Sequence, residues 1–171
     1  GKPISLGGKY EQIKRQNQTS VNMSKEKSAD LTISARLNPM LKGTLTASLK
    51  RIDLLEIGAS EELDRIKYGV AFSVIRDSRD FFLSPTKGRR DHLAFEISRG
   101  DFKLRKLWID LDQYAKTWKN QVILAGVHIA SAWGQDIPWT EMFSLGGANS
   151  LRGYDEDFFF DQDIDYNEGI R

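Results

Sequence analysis

Residues 104–117 read LRKLWIDLDQYAKT. In an extended chain Leu107, Ile109, Leu111 and Ala115 point one way, and Lys106, Trp108, Asp110, Asp112, Tyr114 and Lys116 the other. A period of two is the pattern of a strand with unlike faces. Two architectures accept such a strand, in opposite senses. A soluble sandwich turns the apolar face inward and the charged face to water. A membrane barrel turns the apolar face to lipid and lines its lumen with the charged one.

The alternation continues on both sides of this stretch. In 31–37, Leu31, Ile33, Ala35 and Leu37 oppose Thr32, Ser34 and Arg36; Asn38-Pro39-Met40 reads as a tight turn, after which Leu45, Ala47 and Leu49 oppose Thr44, Thr46, Ser48 and Lys50. In 68–74, Tyr68, Val70, Phe72 and Val74 oppose Gly69, Ala71 and Ser73; in 92–98, Leu93, Phe95 and Ile97 oppose His92, Ala94, Glu96 and Ser98. In 121–132, Ile123, Ala125, Val127 and Ile129 oppose Leu124, Gly126, His128 and Ala130. Six such segments in succession predict an all-β, antiparallel chain. ASEELDRIK (59–67) is a candidate for a turn or two of helix inside a connection. The connections expected are a tight turn at 38–40, a long charged loop at 50–66, a Pro/Gly turn at 76–88, a short hairpin at 98–101, a polar turn at 117–120 and a very long loop from 133 to about 160. The second, fourth and sixth share one end of the sheet, and a polar run covers 14–28.

Composition limits the chemistry. The 171 residues carry 25 basic and 24 acidic side chains, a net charge of +1 that gives no reason to expect nucleic acid as a partner. Without cysteine there is no disulfide framework or thiolate metal site, and two histidines, His92 and His128, do not make a His-rich one. No apolar run approaches the ~18 residues of a spanning helix, a test that barrels escape. No Gly-x-Ser-x-Gly elbow, phosphate-binding loop or dinucleotide fingerprint occurs, so no catalytic residue, cofactor or metal is expected. The chain opens on Gly1 without a charged-then-apolar leader, as a processed or excised piece of a longer product would.

Three motifs resemble one family. FSLGGANSLRGY (143–154) sets Phe143 and Leu145-Gly146-Gly147 before a short polar run and the tetrad Leu151-Arg152-Gly153-Tyr154. FSVIRDSRDFFLSPTKG (72–88) carries a strand-end turn built on Arg76, Asp77, Arg79, Asp80, Pro85 and Gly88. NEGIR (167–171) is similar to the strand that follows the family's long loop, although its Gly-Ile pair departs from the usual aromatic before Arg. In this order and spacing they resemble the superfamily of outer-membrane barrel assembly and secretion proteins, the BamA and TamA type with two-partner secretion transporters and bacterial surface antigens. The resemblance covers roughly 68–171; the earlier part fits by alternation.

The resemblance implies a partial up-and-down transmembrane β-barrel, about strands five to twelve of sixteen, with a long loop folded into the lumen. Residues 1–171 would then be a fragment of a single C-terminal barrel domain, with the soluble periplasmic (POTRA) repeats and the remaining strands elsewhere. Residues 1–13 would be the tail of strand five and 14–28 an extracellular loop. An open barrel edge in lipid leaves backbone groups unsatisfied, which also requires further strands. The implied function is assembly and insertion of outer-membrane proteins; a two-partner secretion pore and the barrel anchor of a surface lipase are the alternatives within the family, and a soluble β-sandwich binding module the one outside it. The implied location is a bacterial outer membrane or an organelle's. The implied partners are membrane lipid, an unfolded outer-membrane protein or secreted substrate, and periplasmic accessory proteins.

In the family the loop arginine reaches acids on the inner wall, so Arg152 is expected to meet Glu168, with Asp110 and Asp112 as further candidates. A guanidinium withdrawn from water needs a carboxylate, and glycines 146, 147 and 153 permit the turns that bring it there. Arg76, Asp77, Arg79 and Asp80 read as an exposed charged turn or as a salt-bridged one that fixes the strand end. His128 reads as a lumenal or packing histidine. The acids from Asp155 to Asp165 lack calcium-loop spacing and read as solvated charge. Of Trp108, Trp118, Trp133 and Trp139, three fall near strand ends or loops, as in an interfacial girdle.

Overall fold

A computed structural model describes residues 4–16, 23–55 and 63–143. Among them are seven strands: β1 (Ile4–Gln16), β2 (Met23–Asn38), β3 (Leu41–Leu55), β4 (Leu63–Asp77), β5 (Gly88–Gly100), β6 (Lys103–Lys116) and β7 (Val122–Gln135). They form one sheet in chain order, each antiparallel to the next, which is an up-and-down meander. Strands run from 13 to 16 residues, longer than the roughly 9–11 that cross a hydrocarbon core at a barrel's tilt. They therefore project beyond the apolar layer.

That excess length corrects the expected boundaries. The polar run 14–28 is largely strand: Lys14 pairs with Lys25 and Ile13 with Glu26, leaving 17–22 between β1 and β2. The expected loop 50–66 gives way to β3 as far as Leu55 and to β4 from Leu63, which also removes the helix proposed over 59–67 in its described part. At 14–28 both faces are polar, and in β3 the period inverts after Lys50, with Ile52 and Leu54 apolar on the otherwise polar face and Arg51 and Asp53 polar on the other, so no steady alternation marks these ends. The backbone ladder extends regardless, because it satisfies the peptide groups without asking what the side chains are.

The two faces differ as the alternation requires. Leu31, Ile33, Leu45, Leu49, Val70, Phe72, Leu93, Val127 and Ile129 are all exposed on one of them. The opposite face carries Ser, Thr and charged groups, with Thr32 bonded to Thr46 and Ser34 to Thr44 across strands at 3.2 Å. Among the described residues, the only segment that folds back over the sheet covers this polar face. After β7 the chain reverses at Asp136, whose φ of +53 a short polar side chain tolerates, and Ile137 and Trp139 then pack on Ile52, Leu54, Phe102 and Leu104. This small core lies at the loop end, inside. A sandwich would bury the other face.

The tryptophans separate accordingly. Trp118 is 82% exposed in the β6–β7 turn, and Trp133 lies on the outer face near the loop end of β7. Trp108 and Trp139 do not belong to a girdle. Trp108 has the parity of the polar face, and Trp139 is packed within the inner core.

Candidate functional site

The long loop begins within IPWTEMF (137–143), where Glu141 is the single charge. It ends the short helical turn Trp139–Glu141, its amide bonded to the carbonyl of Pro138 at 2.9 Å, and only 2% of it is exposed. Three lysines converge on it. Lys50 of β3 donates to Oε1 at 2.8 Å; Lys67 of β4 and Lys106 of β6 donate to Oε2 at 2.9 and 2.6 Å. Lys50 also pairs with Glu26 at 2.8 Å and Lys67 with Glu96 at 2.9 Å, so three cations meet three anions. Ser98 completes the group, donating to Glu96 at 2.6 Å.

Register explains why Glu141 is needed. Lys50 and Lys67 are directly opposite each other across β3 and β4, a placement that repels without an anion between them. Glu141 bridges them. Burial by itself would raise its carboxyl; the ammonium groups of Lys67, Lys106 and Lys50 outweigh burial and hold it down at about 2. An acid so enclosed stays ionised throughout the physiological range.

Phe143 extends the attachment. Its ring meets Trp108 edge-on, centroids 5.5 Å apart at 90°, with the Lys106 ammonium 5.7 Å from the Phe143 ring and 5.9 Å from that of Trp108. Of the loop motif, Phe143 is described; Leu145, Gly146, Gly147, Leu151, Arg152, Gly153 and Tyr154 lie outside the described residues, as do Glu168 and the acids 155–165. Asp110 and Asp112 share the polar inner face of β6. Asp110 is flanked by two histidines, His92 Nδ1 and His128 Nδ1 each 3.0 Å from one of its oxygens, and His128 Nε2 stands 3.4 Å from Asp112. Among the described residues no group of acids and histidines has the geometry to hold a metal.

At the opposite end the 76–88 turn is fastened from within. Arg79 makes a two-pronged contact with Asp77, Nε to Oδ1 at 2.9 Å and Nη2 to Oδ2 at 2.6 Å, which raises its pKa further. Asp80 accepts from the amides of Phe81, Thr86 and Lys87 and from the Thr86 hydroxyl; the hydroxyl bond is the main cause of its lowered pKa. Gly88 has φ +103, and a Cβ there would stand 2.3 Å from the Ser78 carbonyl. Pro85 is half-buried in this turn, and Arg76 points to the outer face.

A family model described as the Omp85 superfamily domain matches residues 1–169. The chain belongs to the Omp85 superfamily. Its fold is similar to the crystal structure of BamA from Haemophilus ducreyi lacking POTRA domains 1-3, with a TM-score of 0.80 over 90% of this chain at 16% sequence identity. The match covers 35% of that chain. No curated protein matches the sequence. Membership makes this an outer-membrane chain of a family concerned with protein assembly and secretion, its seven strands part of a barrel wall. The exposed apolar face is then the lipid face, the polar face the lumen, and the soluble sandwich is excluded. The inner core, Glu141 and Phe143 all lie against the lumenal wall.

Sequence reasoning singled out Phe143 and missed Glu141, on which the loop root is fastened. Glu141 was one acid among many in a long loop, Lys50 stood at the end of a strand's polar face where a loop was expected to begin, and Lys67 closed a helix candidate inside a connection. The available signal was a lone acid inside the otherwise uncharged run 137–143, near an inner face rich in lysine.

Proposed function

We propose that this chain is the middle of a barrel that folds and inserts other outer-membrane proteins, without a catalytic step of its own, and that the Glu141 cluster sets the root of the long loop inside the lumen. One observation carries the reading. An ionised carboxylate is buried among three lysines of the wall, and the chain that leaves it heads into the tetrad Leu151-Arg152-Gly153-Tyr154. A loop anchored this firmly at its root keeps its tip within reach of the wall, where Arg152 would find Glu168, Asp110 or Asp112. The chain would be part of the C-terminal barrel domain of a longer protein, preceded by POTRA repeats, with unfolded outer-membrane proteins as substrates and periplasmic accessory proteins as partners.

The test is Glu141→Gln in the full-length protein, expressed as the sole copy in its host. Steady-state amounts of unrelated outer-membrane barrels should fall severalfold while the variant itself still reaches the membrane. Unchanged barrels with loss of a single secreted protein would replace this reading by a secretion pore. If both remain normal, the loop root has no part in either process.

A further inference from the structure

At the loop end of the outer face, Ile97, Arg99, Lys103, Arg105, Trp133 and Gln135 line a groove of about 530 Å³. Register places all six on the lipid side: Ile97 pairs with Arg105, Arg105 with Trp133, and Lys103 with Gln135, while the intervening Ser98 and Leu104 are buried on the lumenal side. We propose that this groove binds the phosphate of an anionic membrane lipid headgroup.

Charge carries the argument. Arg99, Lys103 and Arg105 are exposed, and among the described residues none has an acidic partner. Lys25, Lys27 and Arg76 on the same face also lack an ion pair among the described residues, but they do not share a groove, and other cations of this face are matched. Elsewhere on the outer face Arg51 is held by Asp53 and Asp64, at 3.1 and 2.7 Å, and Arg89 by Asp91 at 2.8 Å. Two acids flank the groove without neutralising it. Asp101, in the hairpin between Arg99 and Lys103, turns its carboxylate to the Ile66 amide at 2.7 Å, and Asp136 makes no ion pair. Three cations thus share one groove without an ion-pair partner among the described residues.

Depth supplies the second observation. The groove adjoins the exposed apolar band directly: Trp133 packs on Phe95 with centroids 6.2 Å apart, and Ile97 and Leu93 continue toward the middle of the wall. Indole rings settle at the boundary between hydrocarbon and headgroups, so cations beside and just beyond Trp133 stand at the level of lipid phosphates. Guanidinium groups match phosphate oxygens in pairs, and long basic side chains keep their stems on the apolar surface while the charged ends reach the headgroup. An acyl chain running down past Trp133 and Phe95 would join both halves of one ligand.

The inference needs the outer face to meet lipid and does not depend on what the lumen does. Native mass spectrometry of the detergent-solubilised full-length protein tests it, with monophosphoryl lipid A and phosphatidylethanolamine as probes. Lipid A adducts should survive preferentially on the wild type and drop about fivefold for each cation removed through Arg99→Gln, Lys103→Gln and Arg105→Gln. Arg51→Gln, whose charge is already matched, should leave them unchanged. Equal retention by the wild type and the triple variant would overturn the proposal, as would equal retention of the two lipids. Full displacement of lipid A by millimolar inorganic phosphate would show a phosphate site that makes no use of the apolar band, and would also overturn it. If the triple variant fails to fold, Arg105→Gln alone carries the same test, an undiminished adduct counting against the groove.

Discussion

The turn between β4 and β5 and the root of the loop after β7 are both held by buried or bonded carboxylates, but over very different distances in sequence. In the turn, Asp77 and Asp80 serve partners one to seven residues away. At the loop root, Glu141 is bonded to lysines 35, 74 and 91 residues back. The turn can form as soon as its own thirteen residues are made. The loop root needs β3, β4 and β6 in register first, so it reports on the finished wall. A local lock stabilises a strand end; a long-range one ties the position of a loop to the integrity of the barrel.

The largest expected effect breaks the long-range side. Glu141→Gln leaves three lysines without their shared anion and should lower the stability of the full-length barrel by about 3–5 kcal/mol, read from its denaturant midpoint. Adding Lys67→Met should recover part of the loss, a non-additivity of about 1–3 kcal/mol. A loss under about 1 kcal/mol would mean that solvent screens the cluster and that the contrast with the turn is false.

The same carboxylate predicts a pH dependence. Its folded pKa of about 2 is depressed below the ordinary 4.5, so its stabilisation is complete above about 4.5 and fades as pH falls toward 2. The gap in stability between the wild type and Glu141→Gln should therefore be constant from pH 7 to 5 and close below that. A gap that widens on acidification would contradict the sign.

On the local side, Gly88→Ala forces a left-handed backbone and a clash with Ser78, at a cost of about 1–3 kcal/mol. Asp80→Asn should strip hydrogen-exchange protection from the Thr86 and Lys87 amides and leave protection near Glu141 untouched. Loss of protection at both ends would show that the two locks are coupled. The smallest effect is expected for Phe143→Leu, which removes the edge-on contact with Trp108 at about 0.5–1.5 kcal/mol and sharpens how much of the loop root rests on charge alone.

The division between the two regions is also the division between what was and was not legible. The alternation of 104–117 gave both faces of β6 correctly, because a strand's parity is a property of neighbouring residues. The turn motif RDSRDFFLSPTKG was visible for the same reason. Strand ends were misplaced at 14–28, where polar residues stand on both faces, and at 50–66, where Ile52 and Leu54 turn apolar the face that is polar up to Lys50 and so break the alternation. Trp139 looked like an interfacial residue because its neighbours in sequence are loop, whereas its neighbours in space are Ile52 and Leu104.

By itself, then, the sequence determined an all-β chain with one apolar and one polar face, a charged Pro/Gly turn whose wiring it left open, and motifs that resemble an outer-membrane family. Those follow from spacings of two and from the residues of one turn, which the chain states directly. Only the tertiary structure decided which face is covered, that Lys50 and Lys67 stand opposite each other, and that Glu141 resolves their repulsion. Register and loop reversal set these, and both are properties of strands brought together rather than of any one of them.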